Sequence, residues 1–140
     1  MIRTYQKGDG ARVLVQPEQA LEARNFARFF DDIVSYTLTD NDGMIKAVFG
    51  YRLNGLKQAE AFALIGKNIA PSGLLEIIRF LHVFIPLKMQ EKNVSSLKIT
   101  VKKDFLNAHR LARFLGFSYL ADLPAFYLNQ DYQLFERKLK

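Results

Sequence analysis

The groups in this sequence best suited to bind an anion are backbone amides at one predicted helix start. A loop of small residues, 66–73, precedes an apolar helix predicted from Leu74 to about Ile85. Free N–H groups at a helix N-terminus and the helix dipole bind phosphate, and glycine lets a ligand approach the backbone closely. The alternative is an ordinary strand-to-helix turn in which Ser72 caps the helix. The candidate amides belong to Ser72, Gly73, Leu74 and Leu75, with Lys67 nearby.

Composition excludes several other chemistries. The 140 residues include no cysteine, which excludes disulfides, zinc–thiolate sites, iron–sulfur clusters and a cysteine nucleophile. Only two histidines are present, His82 and His109, so a two-histidine metal site is not favoured. We therefore predict that the protein binds no metal.

The apolar segments are too interrupted to cross a membrane. The longest, Gly73–Leu87, contains Glu76, Arg79, His82 and Pro86, whereas a spanning helix needs about 20 nearly uninterrupted apolar residues. The polar N-terminus lacks the apolar core of a signal peptide. We therefore expect no membrane partner and a cytoplasmic location.

Positive charge is concentrated in the second half of the chain. The 20 basic and 14 acidic side chains give a net charge of +6, and the segment Lys88–Arg113 holds seven basic and two acidic side chains. Such a region attracts nucleic acid or a phosphate-bearing cofactor, although a solvated face is the alternative. Because no recognition helix or RNA-binding motif accompanies the charge, nucleic acid is not a favoured partner.

Hydropathy patterns predict one domain, residues 1–140, in which helices alternate with strands. Three strands linked by tight turns at Gly43 and Gly55 form an antiparallel meander. The helix after the meander is apolar on nearly all sides, which predicts burial against a sheet, and Pro86 is expected to end or kink it. The remaining predicted elements are strand Ile2–Gln6, a helix from Pro17, strand Ser96–Val101, a helix capped by Asp104 and ending before Gly116, and strands Phe117–Leu120 and Tyr132–Leu139.

Two local motifs add to this order of elements. One is Thr39–Gly50 in the meander, and the other is Ala108–Phe117, a helix that ends in Leu-Gly-Phe. In this order and spacing, the chain resembles the GNAT superfamily of N-acetyltransferases over nearly its whole length. It is most similar to divergent, often phage-encoded members with an Ala-His-Arg stretch on that helix. The resemblance implies an α+β fold with a mixed, mainly antiparallel sheet and helices on both faces.

The resemblance implies acetyl-CoA or another acyl-CoA as cofactor. Family members hold its pyrophosphate on a Gln/Arg-x-x-Gly-x-Gly/Ala loop at the start of the helix after the meander. This chain departs from that pattern, with Ala70 and Leu75 in one register or Pro71 in the other. By resemblance, the amides of Ser72–Leu75 would take the pyrophosphate. Strand backbone would bind the pantetheine arm at Phe62, Leu64 and Ile65.

The resemblance also implies where protons move. Many family members carry a general base, a Glu, on the third meander strand, where Glu60 lies. The family's acid is a Tyr four residues before the Gly of Leu-Gly-Phe, a position held here by Ala112, so His109 or Tyr119 is the substitute candidate. The alternatives are a solvated carboxylate for Glu60 and a surface or half-buried side chain for His109.

These observations predict an N-acyltransferase that uses acetyl-CoA or another acyl-CoA and an amine acceptor that the sequence does not identify. The alternative is a non-catalytic protein of the same fold, of phage or prophage origin, with a structural role or a protein partner. Ala112 and the departures from the cofactor-loop pattern favour that alternative. Neither hypothesis predicts an oligomeric state.

Overall fold

Strands and helices alternate along the chain as predicted. The computed structural model describes residues 1–67 and 69–139, and for Glu22 and Phe26 only the backbone. Within these residues the strands are β1 (Ile2–Thr4), β2 (Val34–Thr39), β3 (Ile45–Leu53), β4 (Gln58–Ile65), β5 (Ser96–Lys102), β6 (Ser118–Tyr127) and β7 (Gln130–Lys138). The helices are α1 (Ala20–Phe26), α2 (Pro71–Arg79), α3 (Ile85–Glu91) and α4 (Leu106–Phe114). Tight 3-10 turns occupy Asp9–Arg12, Pro17–Gln19 and Ala27–Asp32.

The strands form one mixed sheet in the order β1-β2-β3-β4-β5-β7-β6. The pairs β1–β2, β2–β3, β5–β7 and β6–β7 are antiparallel. The pair β4–β5 is parallel and joins Gln58–Glu60 to Ser96–Lys98. A mixed sheet was predicted from the element order, and the resemblance implied that it is mainly antiparallel; both predictions are confirmed.

The chain divides into two compact units. The first comprises Met1–Arg52 and Ala61–Phe80, and the second comprises Leu53–Glu60 and Leu81–Lys140. The boundary therefore runs through β4, which gives its first three residues to the second unit and Ala61–Ile65 to the first.

The core of the first unit lies between the helical segment 20–32 and the meander. Apolar residues at helical spacing on this segment, among them Ala27 and Phe30, face β3 and β4. Tyr5, Phe62 and four aliphatic side chains pack around this centre. The buried residues of the cluster are Val13, Ala27, Phe30, Val48 and Leu64.

A buried carboxylate ties the N-terminal turn of the first unit to its sheet. Asp9 is 1% exposed, and its carboxylate accepts hydrogen bonds from the Arg3 guanidinium at 2.7 and 3.2 Å, from Thr37 Oγ1 at 2.7 Å and from the Gln6 N–H at 2.9 Å. Burial by itself raises the pKa of Asp9, but these hydrogen bonds and the Arg3 charge outweigh it and lower the pKa below 3.8. The network fixes the turn that leads to the segment Leu14–Gln19.

The second unit packs α3 and α4 with β5 and β7. Its buried apolar residues include Ile85, Met89, Val94, Leu97, Val101, Phe105, Ala112, Leu115, Phe117, Tyr132 and Phe135. Gly116, with φ 89°, takes the left-handed conformation predicted after α4. The prediction that Asp104 caps α4 is wrong. The residue before the helix is Phe105, whose buried ring fixes the helix start without a side-chain cap.

The helical region after the meander differs from its prediction in two ways. It is not buried on nearly all sides, because Leu74, Leu75, Val83 and Leu87 are each at least 40% exposed. The interruption predicted at Pro86 is present as a π turn, Phe80–Phe84, after which α3 begins. A proline lacks an N–H but is well accommodated in a first helical turn, and Pro86 is the second residue of α3. Within the described residues, no helix is long and apolar enough to cross a membrane.

Strand β6 is longer than its predicted length. It continues from Ser118 to Tyr127 through Pro124, a residue that argues against a central strand. Its position at the end of the strand order and a register shift between Leu123 and Tyr127 accommodate the missing N–H. An edge strand tolerates proline because one side of its backbone needs no partner strand.

We expect Asp9→Asn to lower the free energy of unfolding by about 2–4 kcal/mol at pH 7, since it leaves Arg3 without its charge partner. Because the folded pKa of Asp9 is depressed, its contribution is complete above the unfolded value of 3.8 and is lost as pH falls through the folded pKa. Urea unfolding at pH 7, 5 and 3 measures both effects. The control Asp104→Asn changes an exposed carboxylate. A constant difference between wild type and Asp9→Asn down to pH 3 would contradict the account.

Candidate cofactor-binding site

The predicted cofactor-binding residues lie together in the first unit. They occupy the end of β4, residues 61–65, and the beginning of α2, and the connecting loop contains Asn68, which lies outside the described residues. Strand end, loop and helix start therefore follow one another within 15 residues of sequence, from Ala61 to Leu75. A phosphate-bearing ligand with a long arm needs this arrangement, a strand edge leading to a helix N-terminus.

Backbone direction divides the predicted strand residues into two sets. The Gly66 N–H donates to Lys46 O on β3 at 2.8 Å. Because backbone groups of successive strand residues point to opposite sides, Leu64 and Phe62 also direct theirs towards β3. Ile65 and Ala63 direct theirs to the other side, which we call the outer edge of β4. Of the strand residues predicted to bind the arm, Ile65 is therefore the one whose backbone groups face the outer edge, and Ala63, between Phe62 and Leu64, is the second residue that does so.

The outer edge carries a side-chain amide of this chain. Gln19 Nε2 donates to Ala63 O at 3.1 Å, and the Ile65 N–H donates to Gln19 Oε1 at 3.2 Å. Gln19 is 8% exposed and ends the 3-10 turn before α1. Its carboxamide thus binds the strand as a peptide group of another strand would. No local pattern identifies Gln19, because it is 44 residues from Ala63 in sequence.

The same edge continues past the end of β4. The Lys67 N–H donates to Leu14 O at 2.8 Å, and Val15 forms an isolated antiparallel bridge with Gly66. A Cβ on Gly66 would lie 2.5 Å from Lys46 O and 3.3 Å from Leu14 O. Glycine is therefore required where β3 and the segment Leu14–Gln19 both approach the chain closely.

The start of α2 offers fewer amides than predicted. The residue before the helix is Ala70, so Ser72 is the second helical residue, and the alternative in which Ser72 caps the helix is wrong. The Leu74 N–H donates to Ala70 O at 3.0 Å, as a helix-interior amide does, and Leu75 lies one residue deeper in the helix. Helix geometry leaves the N–H groups of Ser72 and Gly73 without an intrahelical acceptor, and Pro71 has none to offer.

The side chains of the predicted strand residues serve the core. Leu64 is 1% exposed and belongs to the buried cluster of the first unit. Phe62 packs edge-to-face on Phe29 with ring centroids 4.9 Å apart, and the Arg52 guanidinium lies 5.3 Å from the Phe29 ring and 5.6 Å from the Phe62 ring. These contacts pack the β4 side chains against the helical segment. A ligand at the outer edge would therefore meet β4 through the backbone of the strand.

Glu60 lies in the second unit, at the beginning of β4. Its Oε1 accepts a hydrogen bond of 2.6 Å from Asn54 Nδ2, across the turn between β3 and β4. The carboxylate is partly exposed and is held in one orientation by this bond. Its position on the third meander strand is the one that the resemblance implied for a general base, and that role stays a prediction.

His109 is buried in the second unit, at 7% exposure. Its Nε2 lies 3.0 Å from Lys102 O and 2.9 Å from Lys103 O, and its ring packs edge-to-face on Phe135. Since carbonyl oxygens only accept hydrogen bonds, Nε2 carries the hydrogen and donates it to both. His109 therefore joins α4 to the end of β5, and its predicted catalytic role requires that this contact open.

Tyr119, the other substitute acid, is 52% exposed on β6. A hydrogen bond to Asp122, with smaller contributions from burial and from the Asp122 charge, raises the pKa of its phenol. Ala112, which stands at the position of the family's acid, is buried in α4.

A second concave surface lies elsewhere in the first unit. It is an open groove of about 440 Å³ beside β1 and β2, lined by Thr4, Tyr5, Lys7, Asp31, Asp32, Ile33, Val34 and Ser35. Asp31 is engaged there by the Tyr5 hydroxyl at 2.6 Å and the Gly8 N–H at 3.1 Å. The lining of this groove includes none of the predicted site residues.

Solved structures resemble the chain over nearly its whole length. Ard1 from Thermoplasma volcanium matches with a TM-score of 0.76 at 16% identity and covers 100% of this chain and 97% of that chain. The ribosomal-protein-S18-alanine N-acetyltransferase from Escherichia coli matches at 0.74 and 18%, covering 100% and 94%. An acetyltransferase of the GNAT family from Streptococcus pneumoniae matches at 0.69 and 16%, covering 100% and 99%.

These likenesses establish the fold. No protein-family model and no curated protein matches the sequence significantly. The solved structures nevertheless share the whole architecture, so the chain has the GNAT fold, and the predicted fold class is confirmed. At 18% identity or less, the comparison shows the fold alone.

The contact between His109 and the two carbonyl oxygens predicts unequal effects of two substitutions. His109→Leu removes the His109 donor from Lys103 O and from Lys102 O, although Lys102 O still accepts from the Phe105 N–H at 3.0 Å, and should cost about 1–2 kcal/mol of unfolding free energy. His109→Gln places an N–H near the position of Nε2 and should recover at least half of that loss. Urea unfolding at pH 7 measures the difference. Equal destabilisation by Leu and Gln would contradict the assigned hydrogen bonds.

Proposed function

We propose that this protein is an N-acyltransferase that takes acetyl-CoA or another acyl-CoA and transfers the acyl group to an amine. One observation carries the proposal beyond the fold. In the first unit, the outer edge of β4 at Ala63 and Ile65 leads to the amides of Ser72 and Gly73, as a strand-bound arm and a helix-bound pyrophosphate require. No metal is part of the proposal.

The residues present fit an acyl-CoA both at the outer edge of β4 and at the start of α2. The outer edge binds a planar amide, since it already holds the Gln19 carboxamide, and the pantetheine arm is a chain with secondary amides. At the helix start, the N–H groups of Ser72 and Gly73 have no intrahelical acceptor, and the backbone at Gly73 lies close to Ile69, since a Cβ on Gly73 would be 3.2 Å from Ile69 Cγ2. These two amides, with the α2 dipole, would bind an anion with fewer contacts than the family's loop pattern provides.

The proposed reaction is acyl transfer from sulfur to nitrogen. The amine nitrogen bonds to the thioester carbonyl carbon, the carbon–sulfur bond breaks, and one amine proton leaves. Glu60 is the proposed base that receives this proton and then returns it to solvent, while the departing thiolate takes up one proton from solvent, so that coenzyme A leaves as the thiol. His109 keeps Nε2 on its two carbonyls in this proposal and positions α4.

Phosphate binding at the start of α2 is tested by adding a negative charge, which stabilises the helix but repels phosphate. Ser72→Asp adds a carboxylate at the second residue of α2, where it favours the helix dipole. A negative charge about 4 Å from a phosphate costs about 1–4 kcal/mol, so we expect at least about fivefold weaker binding of coenzyme A, measured by titration calorimetry. Wild-type melting temperature should be retained or raised.

A matched control adds the same charge at the same position of another helix. Asn107 is the second residue of α4 and is exposed, so Asn107→Asp should leave the dissociation constant of coenzyme A within twofold of wild type. Equal weakening by both variants would contradict binding at α2. If coenzyme A, acetyl-CoA and longer acyl-CoA all fail to bind the wild-type chain, the proposal is wrong, and the non-catalytic protein of phage origin takes its place.

The role of Glu60 is tested on turnover. With the amine that releases most free thiol from acetyl-CoA in a panel screen, Glu60→Gln should lower kcat by about 100-fold or more with little change in KM for acetyl-CoA. Asn54→Ala removes the hydrogen bond but keeps the carboxylate, so it should lower kcat far less. A kcat for Glu60→Gln within threefold of wild type would exclude Glu60 as the base.

A further inference from the structure

We propose that the Gln19 carboxamide is a built-in competitor for the pantetheine arm, so that an acyl-CoA binds the outer edge of β4 by displacing it. This inference rests on the proposed function, and it deepens that function by naming a residue that sets the affinity for the cofactor.

The competing contact has the geometry of the ligand that it would exclude. Gln19 presents one N–H and one C=O of a planar amide to Ala63 O and the Ile65 N–H, at 3.1 and 3.2 Å. A secondary amide in an extended arm presents the same pair of groups to a strand edge. The Ile65 N–H is well aimed at only one acceptor in such a contact, so side chain and ligand amide exclude each other.

The main chain that precedes Gln19 also pairs with the outer edge of β4 and its continuation. Leu14 O accepts from the Lys67 N–H, and Val15 bridges Gly66, so the segment Leu14–Gln19 follows the edge from Lys67 back to Ala63. Gln19 is the one of these contacts that is made by a side chain. It can therefore be released without moving the main chain.

The main chain of Gln19 is held by a hydrogen bond separate from those of its carboxamide. Its backbone N–H donates to Gln16 O at 2.9 Å in the 3-10 turn, which holds the main chain while the side chain rotates. Each hydrogen bond that the carboxamide gives up at the edge is replaced one for one by a ligand amide. The contact therefore weakens binding of the cofactor rather than preventing it.

The test compares two glutamines of the same segment. Gln19→Met keeps the length of the side chain without either hydrogen bond, and Gln16→Met makes the same change three residues earlier. Because wild type must break two hydrogen bonds that Gln19→Met lacks, we expect coenzyme A to bind Gln19→Met about tenfold more tightly in titration calorimetry. Gln16→Met should bind within twofold of wild type.

Stability separates this role from a purely structural one. Removing two buried hydrogen bonds should lower the melting temperature of Gln19→Met, so a structural residue would lose cofactor affinity together with stability. If Gln19→Met does not melt cooperatively, Gln19→Ala is measured in its place. Wild-type binding of coenzyme A with equal or weaker binding by the Gln19 variants would overturn the inference and leave the proposed function standing.

Nuclear magnetic resonance gives a readout that does not depend on affinity. The side-chain NH₂ signals of Gln19 are assigned by their absence in Gln19→Ala. On saturation of wild type with coenzyme A, these signals should move to the positions of a solvated carboxamide while the Ile65 amide stays protected from exchange. Unmoved Gln19 signals in the bound protein would overturn the inference. Absence of binding by wild type and by both variants would refute the proposed function and this inference together.

Discussion

Backbone groups at the end of β4 set the central constraint on this structure. A partly buried strand edge must give each N–H and C=O a hydrogen-bond partner, because an unpaired group costs free energy comparable to a lost hydrogen bond. On one side β3 meets this need, through bonds such as that from the Gly66 N–H to Lys46 O. On the outer edge, Gln19 meets it with a side chain. The first kind of partner belongs to the main chain of a neighbouring strand, whereas the second is a side chain, and the proposed displacement of Gln19 by a cofactor depends on this difference.

The rest of the first unit holds Gln19 where this exchange can occur. Asp9 fixes the N-terminal turn through Arg3 on β1 and Thr37 on β2. The chain then runs from Val13, in the buried cluster, to the bridge between Val15 and Gly66. Buried ion pairs and close backbone approaches are rigid features, so the segment has little freedom except in its side chains. The arrangement therefore places a side-chain amide on the outer edge of β4 from a main chain that is fixed.

The start of α2 shows how helix geometry limits the amides that a ligand could use. Pro71 removes one donor, and the Leu74 N–H is bound by Ala70 O, so Ser72 and Gly73 are the residues whose N–H groups lack an intrahelical acceptor. Sequence reasoning proposed this location, because a loop of small residues before an apolar helix is a local signal. It overestimated the number of amides, because the residue at which a helix begins is decided by packing, here by Pro71 at the first position.

Local sequence determined the meander and the left-handed glycines at 43, 55 and 116, because turn signals act over a few neighbouring residues. It also determined which face of α4 is apolar, because that face follows from the spacing of apolar residues along the helix. Tertiary structure alone decided the partner of Gln19, 44 residues away, and the burial of His109 against the carbonyls that end β5. It also decided that the helix after the meander leaves Leu74 and Leu87 exposed. Hydropathy states what a side chain prefers, but only the folded chain determines which surfaces are available to cover it.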